Sequence, residues 1–146
     1  MAVEVGDRIR QEFQKVGLRC TPQRYAMLQF LWSREGHPTA DEIFLAINRS
    51  DPRSSRATIY NNLHALAEAG VVLAVSLDAG PVRYEANRQR HHHFVCERCG
   101  VLEDIASGDV SYRPRRLHLG SRIVRDYQIV FRGVCGRCSK RQSRRC

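Results

Sequence analysis

The run from Ser54 to Ala86, SSRATIYNNLHALAEAGVVLAVSLDAGPVRYEA, decides the N-terminal fold. Ile59, Leu63 and Leu66 take the i, i+4, i+7 positions of one apolar helix stripe. Ser54 or Ser55 starts that helix and Gly70 is its natural C-terminal cap. The run then becomes rich in β-branched residues. Val71 to Leu77 and Val82 to Ala86 predict two strands around Asp78-Ala-Gly-Pro81, a β-hairpin. A helix that leads into such a hairpin, with a basic residue (Arg56) at its start, closes a winged helix-turn-helix when further helices precede it.

The preceding sequence supplies them. Thr21-Pro22 is a helix start, with Thr as N-cap and Pro at the first helical position. The helix that follows carries Tyr25, Leu28, Phe30, Leu31 and Trp32 and stops near Gly36. Thr39-Ala-Asp-Glu42 is a capping-box pattern. It opens a helix from Ala40 to about Asn48, with Ile43, Phe44 and Ile47 on its buried side, and Asp51-Pro52 marks a turn. Ahead of these, residues 5–16 place Val5, Ile9, Phe13 and Val16 on one helical face.

The chain has 146 residues, so two small domains fit: 1–87 as the winged helix, and 88–146 as a second unit after a polar linker at Asn87 to Arg90. In the second unit His93–Cys96, Val101–Ile105 and Tyr127–Val134 predict strands. Val110 and Leu117 are helix-spaced, but Pro114 interrupts a helix unless it lies in the first turn. Arg137, Lys140, Arg141, Arg144 and Arg145 form a basic tail expected to be disordered. The fold class is therefore α+β.

With 24 Lys+Arg against 15 Asp+Glu, the formal charge of +9 favours a polyanionic partner, most simply nucleic acid. A merely soluble basic protein is the plainer alternative. The N-terminal MAVEVGDRIRQEF has no apolar core of signal-peptide length, and no run approaches a membrane span, which predicts a cytoplasmic chain without membrane contact. In that compartment the six cysteines are metal ligands or redox groups rather than a disulfide framework. Cys20 reads as a small residue beside a helix start and Cys146 as incidental.

Cys96/Cys99 and Cys135/Cys138 are two Cys-x-x-Cys pairs. A two-residue spacer lets both sulfurs of a pair reach one ion, and two pairs complete a tetrahedral, closed zinc site. A redox pair of thioredoxin type is the rival, but it needs a βαβ setting that is absent. His91 and His93 alternate along a strand and share a face, while His92 points away. Asp104, on the neighbouring strand, can face them; Glu85 ends the wing, and His37 follows the second helix. These residues are either a second metal site or ordinary solvated side chains. A zinc hydrolase would need a motif such as His-Glu-x-x-His, which the chain lacks, so no enzymatic activity is expected. A zinc-stapled protein-interaction module without a DNA role is the other alternative.

The run Ser55 to Leu63, the Arg83-Tyr-Glu85 wing, His91-His-His-Phe-Val-Cys-Glu-Arg-Cys-Gly100 and Cys135-Gly-Arg-Cys138 together resemble the ferric uptake regulator family, over residues 7 to 140. That family consists of dimeric, metal-dependent transcription factors. The resemblance implies an N-terminal winged-helix domain that binds operator DNA and a C-terminal α/β dimerisation domain. It implies structural Zn²⁺ on Cys96, Cys99, Cys135 and Cys138. It implies a regulatory ion, Fe²⁺, Mn²⁺ or Zn²⁺, on His37, Glu85, His91, His93 and Asp104. That ion would tie the two domains together and fix the spacing of the recognition helices. Arg56, Thr58, Tyr60 and Asn61 are the DNA-contacting candidates, with Arg24 on phosphate; a core position beside Ile59 is the alternative for Tyr60.

Within this resemblance, Asp104 matches the peroxide-sensing repressors, where iron-uptake regulators usually carry glutamate. The branch so implied is peroxide-responsive, through oxidation of His37 or His91 and release of DNA; sensing of iron or zinc availability is the alternative. Two positions depart from the pattern. Glu85 stands where peroxide sensors usually have aspartate, and Pro114-Arg-Arg116 is unusual in the dimerisation helix. Asp126-Tyr127 also stands where many relatives carry a further metal-binding histidine.

Overall fold

A computed structural model describes residues 2–34, 36–50, 53–77, 80–87, 89, 91–111, 119–124 and 127–143. The chain separates into two units, Met1–Arg88 and Gln89–Cys146. The expected turns at Asp51-Pro52 and Asp78-Ala79, the Pro114-Arg-Arg116 stretch, Asp126, and Arg144, Arg145 and Cys146 lie outside the described residues. Among those described, no helix is long and apolar enough to cross a membrane.

In the first unit, α1 (Ala2–Lys15), α2 (Pro22–Trp32), α3 (Ala40–Ser50) and α4 (Arg56–Glu68) precede a hairpin of β1 (Leu73–Val75) and β2 (Arg83–Glu85). Local chemistry sets the helix starts. The Thr21 side chain accepts the Arg24 N–H, and the Ser55 hydroxyl accepts the Thr58 N–H at 3.1 Å. At α3 both halves of the capping box form: Glu42 N–H donates to Thr39 Oγ1 at 3.2 Å, and Thr39 N–H donates to Glu42 Oε2 at 2.7 Å. Asn48 clamps the α3–α4 connection through two bonds to the Ser54 backbone, at 3.0 and 3.2 Å. Gly70, at φ +69°, ends α4 in the left-handed region.

The apolar stripes meet in one core of Ile9, Phe13, Met27, Leu28, Ile43, Ile47, Ile59, Leu63 and Leu66, closed by Val71, Val72 and Tyr84. The expected strand from Val71 is shorter for this reason. Val71 and Val72 donate their N–H groups to Leu66 O and bury their side chains under the end of α4 before β1 begins. Phe44 is only half-buried and Val5 is exposed, so two expected core positions lie at the margin.

The second unit holds a three-stranded sheet in the order β4 (Leu102–Ala106), β3 (His91–Cys96), β5 (Val130–Gly133). β3 pairs antiparallel with β4 and parallel with β5. A short 3₁₀ turn, Ser107–Asp109, follows β4. The tail expected to be disordered is instead a helix, α5 (Gly136–Ser143), at Arg137, Lys140 and Arg141. The reason is local: the Cys135 carbonyl accepts the Ser139 N–H at 2.9 Å, so the turn of the second cysteine pair is itself the first turn of a helix.

Leu63→Ala should lower the stability of the first unit by about 2–5 kcal/mol, because it opens a cavity at a fully buried site. Ser55→Ala should cost about 1 kcal/mol through the lost cap. The single tryptophan, Trp32, lies in this unit, so urea unfolding followed by its fluorescence measures both.

Candidate metal centres and nucleic-acid interface

The four cysteines come together in the second unit, with one donor atom from each within 4.8 Å of the others. The first pair sits on the turn between β3 and β4. Cys96 donates its N–H to Val101 O at 3.0 Å and accepts the Gly100 N–H on its carbonyl at 2.8 Å. Gly100 has φ +69°, a conformation that favours glycine. The second pair is brought over by β5: the Cys135 N–H reaches Cys96 Sγ at 3.3 Å, and Cys99 Sγ lies 3.8 Å from Cys135 Sγ. Sulfurs on a tetrahedral zinc ion, each about 2.3 Å from the metal, lie about 3.8 Å apart. Cys96 and Cys135 are buried, Cys138 is half-buried and Cys99 is exposed.

The thiols do not ionise alike. The Cys135 N–H, followed by that of Cys99, lowers the Cys96 thiol to about 6. Side-chain hydrogen bonds to the Cys135 and Cys99 sulfurs, which favour the protonated thiol, push Cys138 up to about 12, and burial and the charge of Cys135 add to it. A dication beside it favours the thiolate instead. Arg137 on α5 adds a counter-charge, and its hydrogen bond to Cys99 holds the guanidinium more firmly protonated. A set of four sulfurs fits Zn²⁺.

Of the nitrogen and oxygen donors, His37 and Glu85 belong to the first unit and His91, His93 and Asp104 to the second. In the first unit, Tyr84 N–H donates to Pro38 O at 2.9 Å, and Arg83 Nη1 donates to His37 O at 2.9 Å. These bonds fasten β2 to the α2–α3 connection and bring His37 Nε2 to 2.6 Å from Glu85 Oε2, with both side chains buried. In the second unit, His93 is register partner to Asp104 across β3 and β4. Asp104 Oδ1 lies 3.5 Å from His91 Nε2 and 3.8 Å from His93 Nε2, and the two imidazole nitrogens are 3.2 Å apart. His91 Nδ1 sits 2.7 Å from the Gln89 carbonyl, which favours the proton on Nδ1 and turns Nε2 toward His93 and Asp104. Imidazole with carboxylate suits Fe²⁺ or Mn²⁺ better than a thiolate set does.

His92 points the other way, as strand alternation requires. It is buried, stacks on Tyr127 at 6.1 Å between ring centroids, meets Phe131 edge-on, and accepts the Ile129 N–H on Nδ1 at 3.3 Å. Its role is to pack β3 against the segment that leads into β5. Sequence reasoning left it without a partner, because Tyr127 and Ile129 lie far along the chain.

The five DNA-contacting candidates fall differently. Arg56 opens α4, and Tyr60 and Asn61 are exposed on it; Tyr60, 47% accessible, is not a core residue. It lies near enough to Tyr84 to help burial push that phenol up. Thr58 is half-buried, with its hydroxyl 2.9 Å from the Ser55 cap. Arg24 is also half-buried: its Nε donates to Asn62 Oδ1 at 2.9 Å and its Nη1 to Arg19 O at 3.0 Å, tying α2 to α4.

The chain is similar to proteins of one known family. The model of the ferric uptake regulator family matches residues 15–125. The peroxide-responsive repressor PerR of Staphylococcus aureus (strain Mu50) is 36% identical over 126 residues, covering 86% of this chain and 85% of its own. Among solved structures, the Campylobacter jejuni peroxide stress regulator is similar with a TM-score of 0.67 and 28% identity, over 90% of this chain and 97% of that one. The Helicobacter pylori ferric uptake regulator Fur shares the fold with a TM-score of 0.75 at 22% identity, over 95% and 94%. By the extent of the family match and the identity to its relative, this chain belongs to the ferric uptake regulator family.

Proposed function

We propose that this chain is a metal-dependent repressor that binds operator DNA as a homodimer in the cytoplasm and releases it in response to peroxide. The observation that carries the reading is Asp104 opposite His93, on the face of the sheet that also presents His91. The 36% identity to a protein named as a peroxide-responsive repressor supports it. The first unit reads DNA with α4, through Arg56, Thr58, Tyr60 and Asn61, and Arg24 holds α2 onto α4 within phosphate reach. The second unit dimerises. Zn²⁺ on Cys96, Cys99, Cys135 and Cys138 is structural.

The regulatory ion, Fe²⁺ or Mn²⁺, takes His37, Glu85, His91, His93 and Asp104 as ligands. The donor chemistry of each group supports this assignment: three imidazoles and two carboxylates, with no thiolate among them. An ion that prefers the DNA-competent arrangement shifts the population toward it by its difference in affinity. When bound, Fe²⁺ supplies the electrons that activate peroxide. His37 and His91 then serve as the oxidisable residues, and an oxidised imidazole is a poorer ligand. Sensing of iron or zinc availability is the second reading. Glu85 favours it, since the resemblance places aspartate there in peroxide sensors.

Mn²⁺-loaded and Fe²⁺-loaded protein should both bind operator DNA, and a small dose of peroxide should release only the Fe²⁺ form. Peptide mass should then show one added oxygen on the His37 or His91 peptide. Release without histidine oxidation would favour availability sensing.

Arg56→Ala and Tyr60→Phe should weaken DNA binding with the dimer intact, and affinity should fall steeply with salt as phosphate counterions are released. Survival of binding in both variants would move the reading surface elsewhere.

Cys96→Ser should abolish retention of structural zinc and unfold the second unit, measured by metal content and by circular dichroism, while the Trp32 signal of the first unit persists. Protons compete with the metal for thiolates, so zinc loss to a chelator should accelerate as pH falls from about 7 to about 5.

A further inference from the structure

We propose that Asp41 and Phe44 of α3 form a socket that positions Arg56 to read a guanine base, which makes Asp41 a specificity-determining residue. The inference rests on the DNA-binding reading of the first unit and deepens it. Arg56 occupies the first position of α4, and its side chain turns back onto α3. Its Nη1 is ion-paired with Asp41 Oδ1, and its guanidinium carbon lies 4.6 Å from the centroid of the Phe44 ring. Phe44 is half-buried: it packs against the core of the first unit, and the arginine lies over its ring.

The pair is 57% and 56% accessible, so it adds little to folding stability. Nor is Asp41 needed for the helix start, because Glu42 and Thr39 already cap α3 reciprocally. A carboxylate beside the leading arginine of a DNA-reading helix also opposes a polyanion. These costs are consistent with a positioning role. Guanidinium has five N–H donors in a fixed plane. Phe44 sets that plane and Asp41 occupies one terminal nitrogen, which leaves another edge to meet two acceptors side by side. Guanine N7 and O6 are such a pair in the major groove. A phosphate gains less from a preset plane and is repelled by Asp41.

Asp41 should therefore strengthen binding to the correct sequence and weaken binding to all others. The test uses the full chain with Mn²⁺. Wild-type protein first selects duplexes from a random-sequence pool, and affinity is then measured on the recovered duplex and on a scrambled duplex of equal length. Asp41→Asn is expected to bind the recovered duplex about tenfold more weakly, the scale of one lost bidentate contact. The same variant should bind the scrambled duplex more tightly at low salt, because a negative charge has left the interface. Phe44→Leu should weaken only the recovered duplex. Replacing the contacted guanine by 7-deazaguanine should penalise wild type more than Asp41→Asn. If Asp41→Asn moves both affinities in the same direction, or neither, the socket is overturned. If wild type recovers no sequence at all, the DNA-reading assignment of the first unit fails, and the socket fails with it.

Discussion

The register of β3 is the constraint on which the second unit depends. This strand supplies His91 and His93 on one face, His92 on the other, and Cys96 at its end. Side chains alternate with a period of two, so a slip of one residue would put His92 where His91 and His93 now stand, and would turn those two away from Asp104. Three features hold the register. The Asp104 backbone pairs with His93 from β4, the Val130 backbone pairs with it from β5, and His92 is packed by Tyr127 and Phe131 beneath. The four-sulfur set closes the far end of the strand, where the Cys135 N–H meets Cys96 Sγ. A zinc ion there would hold β3 and β5 in line, and through them the spacing of the two imidazoles.

The first unit applies the same principle with different parts. Its donors, His37 and Glu85, lie on a loop and at the end of a short strand, two places that backbone propensity alone fixes weakly. Tyr84 and Arg83 fasten that strand to the loop, and the Tyr84 side chain is itself part of the core under α4. The helix proposed to read DNA and the carboxylate proposed to hold metal are therefore anchored in the same apolar cluster. A change at either can be felt at the other through packing, without any long side-chain relay.

Much of this was legible in the sequence because the signals are local. Thr39 and Glu42 bond to each other three residues apart, Gly70 supplies a left-handed cap, and each Cys-x-x-Cys pair closes its own turn. The alternation of His91, His92 and His93 needed only the strand period. What escaped depends on contacts between distant residues. The parallel pairing of β3 with β5 joins His93 to Val130, and no local pattern announces it. The burial of His92 depends on Tyr127, and the place of Arg56 on Asp41 and Phe44 in another helix. The helical tail was missed for another reason. Its charge pattern reads as disorder, but its first turn is fixed by the cysteine pair before it.

In the proposed function the sulfur set and the imidazole–carboxylate set are chemically separate: one holds the fold and the other is the switch. Stepwise demetallation tests this most directly. Metal content, DNA binding and the circular dichroism of the sheet are followed together as a chelator is titrated, first alone and then with a thiol-blocking reagent. The chelator alone should remove one class of ion and abolish DNA binding while the sheet signal stays unchanged. At neutral pH, where protons do not compete for the thiolates, the second class should leave only after the thiols are blocked, and the sheet should unfold with it. Simultaneous loss of both ions, or loss of DNA binding only when the sheet unfolds, would contradict the separation.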